Sequence, residues 1–304
     1  MTDKKHKPLI GQLPPQDLFL EEQRLSKYEG EDRMVSSLEL AADLDKTEDS
    51  NFIVATGVNS LDAAHDGGIE AGEVWVVSGF AGEGKTTLTM TITQNMAEKD
   101  VKTAWFTLEV TPRQFIKKMK AKGGSVPLFY LPNENKDPVI EWIEERIIEA
   151  KVKYDCKVVF IDHLQQIFSI ARMENPNMNL SWEIGDLMAK IKSIAIMHDI
   201  AIILIVHCKD DPSGSSREPR KEDLRDSGLI VRLADTVILV WRVPDNDELK
   251  NSRRKVIEST DTKAKVRIVK NRRNGTLGTW FMYHNNHYLE EVKEYGNGNS
   301  GNNW

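Results

Sequence analysis

Eight consecutive residues, Gly79-Phe80-Ala81-Gly82-Glu83-Gly84-Lys85-Thr86, satisfy the spacing G-x-x-x-x-G-K-[ST] and restrict the chain to a small set of folds. Such a loop works only when a buried strand delivers it and a helix leaves it, because its backbone N–H groups must converge on one phosphate cluster. Both flanks are in the sequence. Residues 73–78 form a short apolar run that predicts the strand, and residues 87–96 predict the helix. Gly79, Gly82 and Gly84 let the backbone approach a phosphate, Lys85 is expected to neutralise β/γ charge, and Thr86 to offer its hydroxyl to Mg²⁺; Thr87 joins the same nucleotide-binding set. The bland alternative is a glycine turn that happens to precede Lys-Thr, and the strand and helix around it argue against that.

The chain is long enough for one large domain or two small ones. With 304 residues, 40% of them hydrophobic, there is ample material for a core. No apolar run reaches the length of a membrane span and the first residues lack a signal-peptide stretch, which predicts a soluble, cytosolic-type chain without membrane partners. Cys156 and Cys208 have neither disulfide-scaffold nor metal-ligand spacing and read as buried small residues. The net charge of −6 gives no support to wholesale nucleic-acid binding, so local charge has to be read instead.

Along the chain, residues 1–50 are polar with apolar positions at Leu18, Leu20, Leu25, Leu38, Leu40 and Leu44, the spacing of one or two short helices. They are too few to close a core, and read either as a solvated extension or as an arm that docks on the main body or a neighbouring subunit. Residues 51–292 are expected to form the main domain. Strands are predicted at 73–78, 103–108, 157–162, 201–207 and 236–241, alternating with helical patterns such as 140–153 and 187–197, which implies a mostly parallel, helix-covered sheet. Short strands at 265–270, 279–283 and 288–291 predict an antiparallel edge. Residues 293–304 read as a flexible tail ending in Trp304, a weak candidate anchor for a polymerase or single-strand-binding protein.

Several strand ends carry polar groups. Asp162 follows four apolar residues and is expected on the Mg²⁺ side of the loop; Glu109, 24 positions after Lys85, is the candidate general base; His207 closes a run of five aliphatics and could sense a phosphate, although a lone strand-end His is often structural. Lys209, Arg217, Arg220, Lys221 and Arg225 crowd one loop and suit single-strand backbone contacts, with a merely solvated loop as the alternative because acids are interleaved. Lys270-Asn-Arg272 follows an apolar strand, where an arginine can stabilise γ-phosphate charge, including that of an adjacent subunit; the alternative is a plain basic hairpin.

Together these pieces resemble the RecA-type motor domain of the DnaB-like replicative helicases, in motifs most like the phage enzymes and mitochondrial Twinkle. The resemblance runs from about Thr56 to Glu291. It rests on Thr56-Gly57…Leu61-Asp62…Gly67-Gly68…Gly72, Leu108-Glu109, Ile161-Asp-His-Leu-Gln165, His207, Asp223-Leu-Arg-Asp-Ser-Gly228 with Ala234-Asp235, and Lys270-Asn-Arg272. It implies an α/β, RecA-like P-loop NTPase core with a twisted, mostly parallel sheet and antiparallel strands at the C-terminal edge. It also implies ATP (or another NTP or dNTP) with Mg²⁺, Glu109 as catalytic base, and Lys85, His207 and Arg272 as further catalytic groups, with Lys270 beside the nucleotide of a neighbour. The implied activity is ATP-dependent unwinding of forked DNA by a homo-oligomeric, hexameric ring moving on single-stranded DNA in a bacterial or phage-infected host cytosol. Primase, loader, polymerase and single-strand-binding protein are the partners it suggests. Arg272 and Arg273 adjoin, so a one-residue shift would exchange the finger. The arm stands where the family has its linker helix, and the 209–225 and 169–179 loops, the latter with Arg172, would face the channel. Two rival functions stay open: a RecA- or KaiC-like DNA-binding ATPase that does not unwind, and an accessory ATPase that remodels a protein partner.

Overall fold

The structure is a computed structural model, and it describes residues 14–30, 33–44, 52–121, 126–135, 139–164, 167, 180–209, 217–224, 227–243, 263–285 and 288–291. The chain divides into two compact units, Met1–Ser50 and Asn51–Trp304. The first contains α1 (Pro15–Leu25), which starts on a proline in its first turn, and α2 (Ser37–Leu44). Phe19, Leu20, Leu38 and Leu40 on these helices are exposed. Among the described residues, no helix is long and apolar enough to cross a membrane.

The second unit is organised by one eight-stranded sheet, with a small antiparallel pair, β1 (Ile53–Val54) and β2 (Ile69–Glu70), apart from it. Strands β3 (Val74–Gly79), β4 (Thr103–Thr107), β5 (Val158–Asp162), β6 (Ala201–His207) and β7 (Thr236–Arg242) run parallel. Strands β8 (Lys263–Asn271), β9 (Gly278–Asn285) and β10 (Tyr288–Glu291) continue it as an antiparallel edge, and the order across the sheet is β10-β9-β8-β7-β3-β6-β5-β4. The expected α/β architecture is therefore the observed one. β3 lies between β6 and β7, so the chain leaves it in both directions and a crevice opens above its C-terminal end, where ligands of such sheets bind.

Both faces of the sheet are covered, which is why its strands are apolar throughout instead of alternating. Val74 and Val76 enter one core with α6 (Ile140–Tyr154) and α7 (Leu180–Met197), through Ile143, Ile147, Met188 and Ile191. Trp75 and Val77, one residue out of phase, enter the other with α3 (Asn59–Ala64), α4 (Lys85–Glu98) and α5 (Pro112–Ala121). Helix α4 is rich in β-branched threonine, a poor helix former, and succeeds because it is buried: Leu88, Ile92 and Met96 recur at four-residue spacing. Thr89, Thr91 and Thr93 donate their hydroxyl protons to the carbonyls of Lys85, Thr87 and Thr89. Helix α7 begins seven residues before the expected 187, with Gly185 and Asp186 in its early turns, and α5, with four basic residues in ten, was not expected. Gly185 is the close-packing point with α8 (Ser227–Leu233), where a Cβ would lie 3.1 Å from Leu229.

Candidate functional site

β3 ends at Gly79, and any side chain there would collide with the carbonyl oxygen of Val240, 2.4 Å from the Cβ position. Gly82 and Gly84 adopt φ of +80° and +98°, a region that L-residues avoid. The backbone then turns into α4 with no side-chain cap on its first turn, leaving N–H groups directed at the crevice, the arrangement that receives phosphate. Lys85 is buried and folds back, donating to the carbonyls of Gly79 (3.1 Å) and Phe80 (2.8 Å). Desolvation lowers its pKa, so a phosphate oxygen would exchange weak partners for a strong one. Thr87 stands half-buried in the first turn beside it. Glu83 reaches across to accept the backbone N–H of Arg242, tying the loop to β7.

Four strand ends meet over this loop. Register pairs Gly79 with His207, and Thr107 with Asp162, so the predicted acids and histidine lie on one rim. The Thr86 hydroxyl donates to Asp162 Oδ2 at 3.2 Å. Asp162 is 7% exposed and its pKa is pushed up to about 6, first by burial and then by the nearby Glu109. A hydroxyl beside a desolvated carboxylate is a hard-oxygen donor pair, so Thr86 and Asp162 fit Mg²⁺. The Asp162 carbonyl accepts the N–H of Leu108 at 2.7 Å and of Glu109 at 3.4 Å, which fixes the turn that projects Glu109. The Glu109 side chain is 55% exposed, its Oε2 lying 3.8 Å from His163 Nδ1. His163, buried, meets the His207 ring edge-on at 4.5 Å. Sequence reasoning gave His163 no role: it follows Asp162 as one more residue after a strand end, and no spacing signal separates it from a turn residue.

The candidate finger lies at the other end of the sheet. β8 runs antiparallel to β7 and pairs Asn271 with Thr236, and the Arg272 N–H bonds the Asp235 carbonyl at 2.9 Å. Asp235 in turn bonds the start of β3, its Oδ2 accepting Val74 N at 2.8 Å. Five strand residues, about 17 Å, separate that point from the phosphate loop. Arg272 and Arg273 differ sharply there. Arg273 is 15% exposed and saturated: two bonds to the Glu73 carboxylate (3.1 and 2.6 Å) and one to the Gly68 carbonyl (3.1 Å). Arg272 is 52% exposed and makes a 3.3 Å contact with Asp235 and a bond to the Arg232 carbonyl. Lys270 caps α8, donating to the carbonyls of Val231, Arg232 and Ala234, and desolvation lowers its pKa.

The basic segment is tethered to the phosphate loop. Cys208 donates its N–H to the Gly79 carbonyl (3.1 Å) and bridges Leu224, while Lys209 N–H bonds the Asp223 carbonyl (2.7 Å). Arg217 makes a bidentate pair with Asp223, both bonds 2.7 Å, and its guanidinium lies 5.5 Å from the Phe80 ring centre. Arg220, Lys221 and Lys209 are exposed. Arg225, Arg172, the 169–179 loop and the 293–304 tail lie outside the described residues. The Thr56-Gly57…Asp62 motif is a turn lock: the Asp62 carboxylate accepts Thr56 N and Oγ1 (both 2.7 Å) and Gly57 N (3.0 Å).

Fold and loop together define a P-loop protein with a RecA-like ATPase core. Among solved structures, a DnaB-like replicative helicase from a study of its interactions with primase superposes with a TM-score of 0.64 at 17% identity, covering 92% of this chain and 73% of that one. A separately solved ATPase domain gives 0.61 at 17% identity over 84% and 97%. A KaiC-like protein of Pyrococcus horikoshii gives 0.56 at 17% identity over 79% and 99%. The chain belongs to the DnaB-like helicase family, whose C-terminal domain model matches residues 129–292, and a KaiC ATPase model matches 54–170. Curated relatives include the replicative DNA helicase DnaB of Treponema pallidum, 25% identical over 74% of this chain and 52% of its own length. That of Rickettsia prowazekii is 28% identical over 52% and 33%. The chain thus spans about half the length of the first of these relatives, and less of the second.

Proposed function

We propose that the chain is the motor of an ATP-driven DNA helicase that works as a ring on single-stranded DNA. The observation that carries this reading is the distance between the phosphate loop and Arg272, which stand at opposite ends of the same sheet. A half-exposed arginine that cannot reach its own loop serves a second copy of the chain, the arrangement that a ring or filament needs.

In this reading the α4 N-terminus and Lys85 hold the β- and γ-phosphates, while Thr86 and Asp162 hold Mg²⁺. The metal, when bound, neutralises charge as the terminal phosphate departs. Glu109 accepts the proton of the attacking water, and its exposure on the rim leaves room for that water. His207 hydrogen-bonds the terminal phosphate, and Arg272 of an adjoining copy stabilises the charge that develops on it. Release of the phosphate passes through Gly79 and Cys208 to the segment bearing Lys209, Arg217, Arg220 and Lys221, which grips the DNA backbone. The exposed apolar positions of α1 and α2 support an arm that docks on a neighbour.

The KaiC match favours a second reading, a DNA-binding ATPase that does not unwind. Nucleotide-dependent separation of a forked duplex with both single-stranded tails, measured beside Lys85→Ala, decides between them. Unwinding by the parent but not the variant supports the helicase; DNA-stimulated hydrolysis without unwinding supports the second reading; loss of both sinks the two together.

A further inference from the structure

We propose that Glu109, His163 and His207 form a binding site for a zinc-class transition-metal ion, and that occupying it withdraws Glu109 from its work as general base. One ligand atom from each residue lies within 4.8 Å of the other two. Tetrahedral zinc needs its donors about 3.3–3.5 Å apart, given metal–ligand distances near 2.0–2.1 Å. Glu109 Oε2 and His163 Nδ1 already stand at 3.8 Å, and the half-exposed Glu109 side chain is free to close the remainder.

A second observation points the same way. His163 is nine-tenths buried, and its Nδ1 is buried with no hydrogen-bond partner among the described residues. A buried ring nitrogen without a partner is unfavourable, and a bound ion would supply what is missing. Two imidazoles and one carboxylate favour Zn²⁺, Co²⁺ or Ni²⁺ over Mg²⁺, which prefers oxygen donors in an octahedron. The two ions therefore sort by chemistry within one crevice: Mg²⁺ to Thr86 and Asp162, the softer ion to the neighbouring triad. Three protein ligands leave an open position toward the crevice, and a carboxylate that shares its charge with the metal is a weaker base toward a water proton.

Binding stands on geometry alone; the inhibitory consequence rests on the proposed role of Glu109, and the experiment separates them. Zn²⁺ binding to the full chain is measured by competition with a chromophoric chelator in excess Mg²⁺, for the parent, His163→Gln, Glu109→Gln and Cys208→Ser. One ion per chain is expected, with the affinity of the first two variants reduced by more than about 100-fold, beyond what loss of an outer partner costs. Cys208→Ser should match the parent. Retained binding of a fluorescent nucleotide shows that the variants fold. If His163→Gln and Glu109→Gln bind Zn²⁺ as the parent does, or if Cys208→Ser alone abolishes binding, the site is overturned. In the parent, stoichiometric Zn²⁺ should suppress hydrolysis and a chelator should restore it; one bound ion with undiminished hydrolysis overturns the inhibitory half. A chain with no hydrolysis at all would count against the proposed function, leaving the binding result to stand or fall by itself.

Discussion

The two ends of the central sheet handle charge in opposite ways. At the phosphate-loop end, Lys85 and Asp162 are buried with weak, neutral partners, and desolvation shifts both toward their uncharged forms. At the far end Arg273, Glu73 and Glu70 neutralise one another, and Lys192 and Asp235 pair at 2.5 Å. The first arrangement stores an unmet demand for ligand; the second fastens the fold. Arg272 is the exception at the far end, a half-exposed cation among fastened ones, which is why it is the arginine proposed to serve a neighbour's nucleotide.

The contrast breaks most visibly at adjacent arginines. Arg272→Ala should reduce hydrolysis by about 10³–10⁵-fold while nucleotide affinity and melting temperature stay near the parent's. Mixing it with Lys85→Ala should restore part of the activity, and a fully active Arg272→Ala would remove the finger. Arg273→Ala should instead destabilise the chain by about 3–5 kcal/mol, because Glu73 is left buried without its partner; chemical denaturation reads this, and an unchanged midpoint would mean that the far end is not fastened as described.

Asp162→Asn sharpens the comparison from the other side. The folded carboxyl titrates at about 6 against an ordinary 3.8, so its stabilising contribution is complete below pH 3.8 and lost as pH rises through 6. Without nucleotide or metal, Asp162→Asn should therefore be more stable than the parent at pH 8, by up to about 3 kcal/mol, with the advantage fading toward pH 4. A pH-independent difference would contradict the shift. The smallest effect concerns DNA. Arg220→Ala with Lys221→Ala should lower the salt dependence of single-strand binding by about 1.4 log units per log unit of salt, at about 0.7 for each lost phosphate contact. Arg217→Ala should change that slope little, because its guanidinium is held by Asp223; equal slopes for the two would mean that Arg217 leaves Asp223 for the DNA.

The sheet and its polar strand ends were legible because both depend on local order. An apolar run of fixed length with one polar residue at its end announces Asp162 and His207 without reference to anything distant. What stayed hidden depends on pairs far apart in sequence. The different surroundings of Arg272 and Arg273 depend on a register irregularity between Val237 and Ile238 and on a carboxylate 200 positions upstream. The Arg217 pair, the Lys270 cap and the His163 cluster each join segments that no periodicity connects. The Ala234-Asp235 doublet was visible as a motif, yet its reason, a carboxylate bonding the first N–H of β3 and Lys192, required the fold.

The Cys208 amide on the Gly79 carbonyl has one further consequence. Its neighbour Lys209 bonds Asp223, so only a few covalent and hydrogen bonds separate the phosphate loop from the short 3-10 turn Lys221–Asp223 that carries Lys221. A linkage that short has almost no slack. If the segment grips DNA, tension on the strand is felt at the phosphate loop as directly as a lost phosphate is felt at the strand, and the motor should slow its fuel consumption under load instead of slipping.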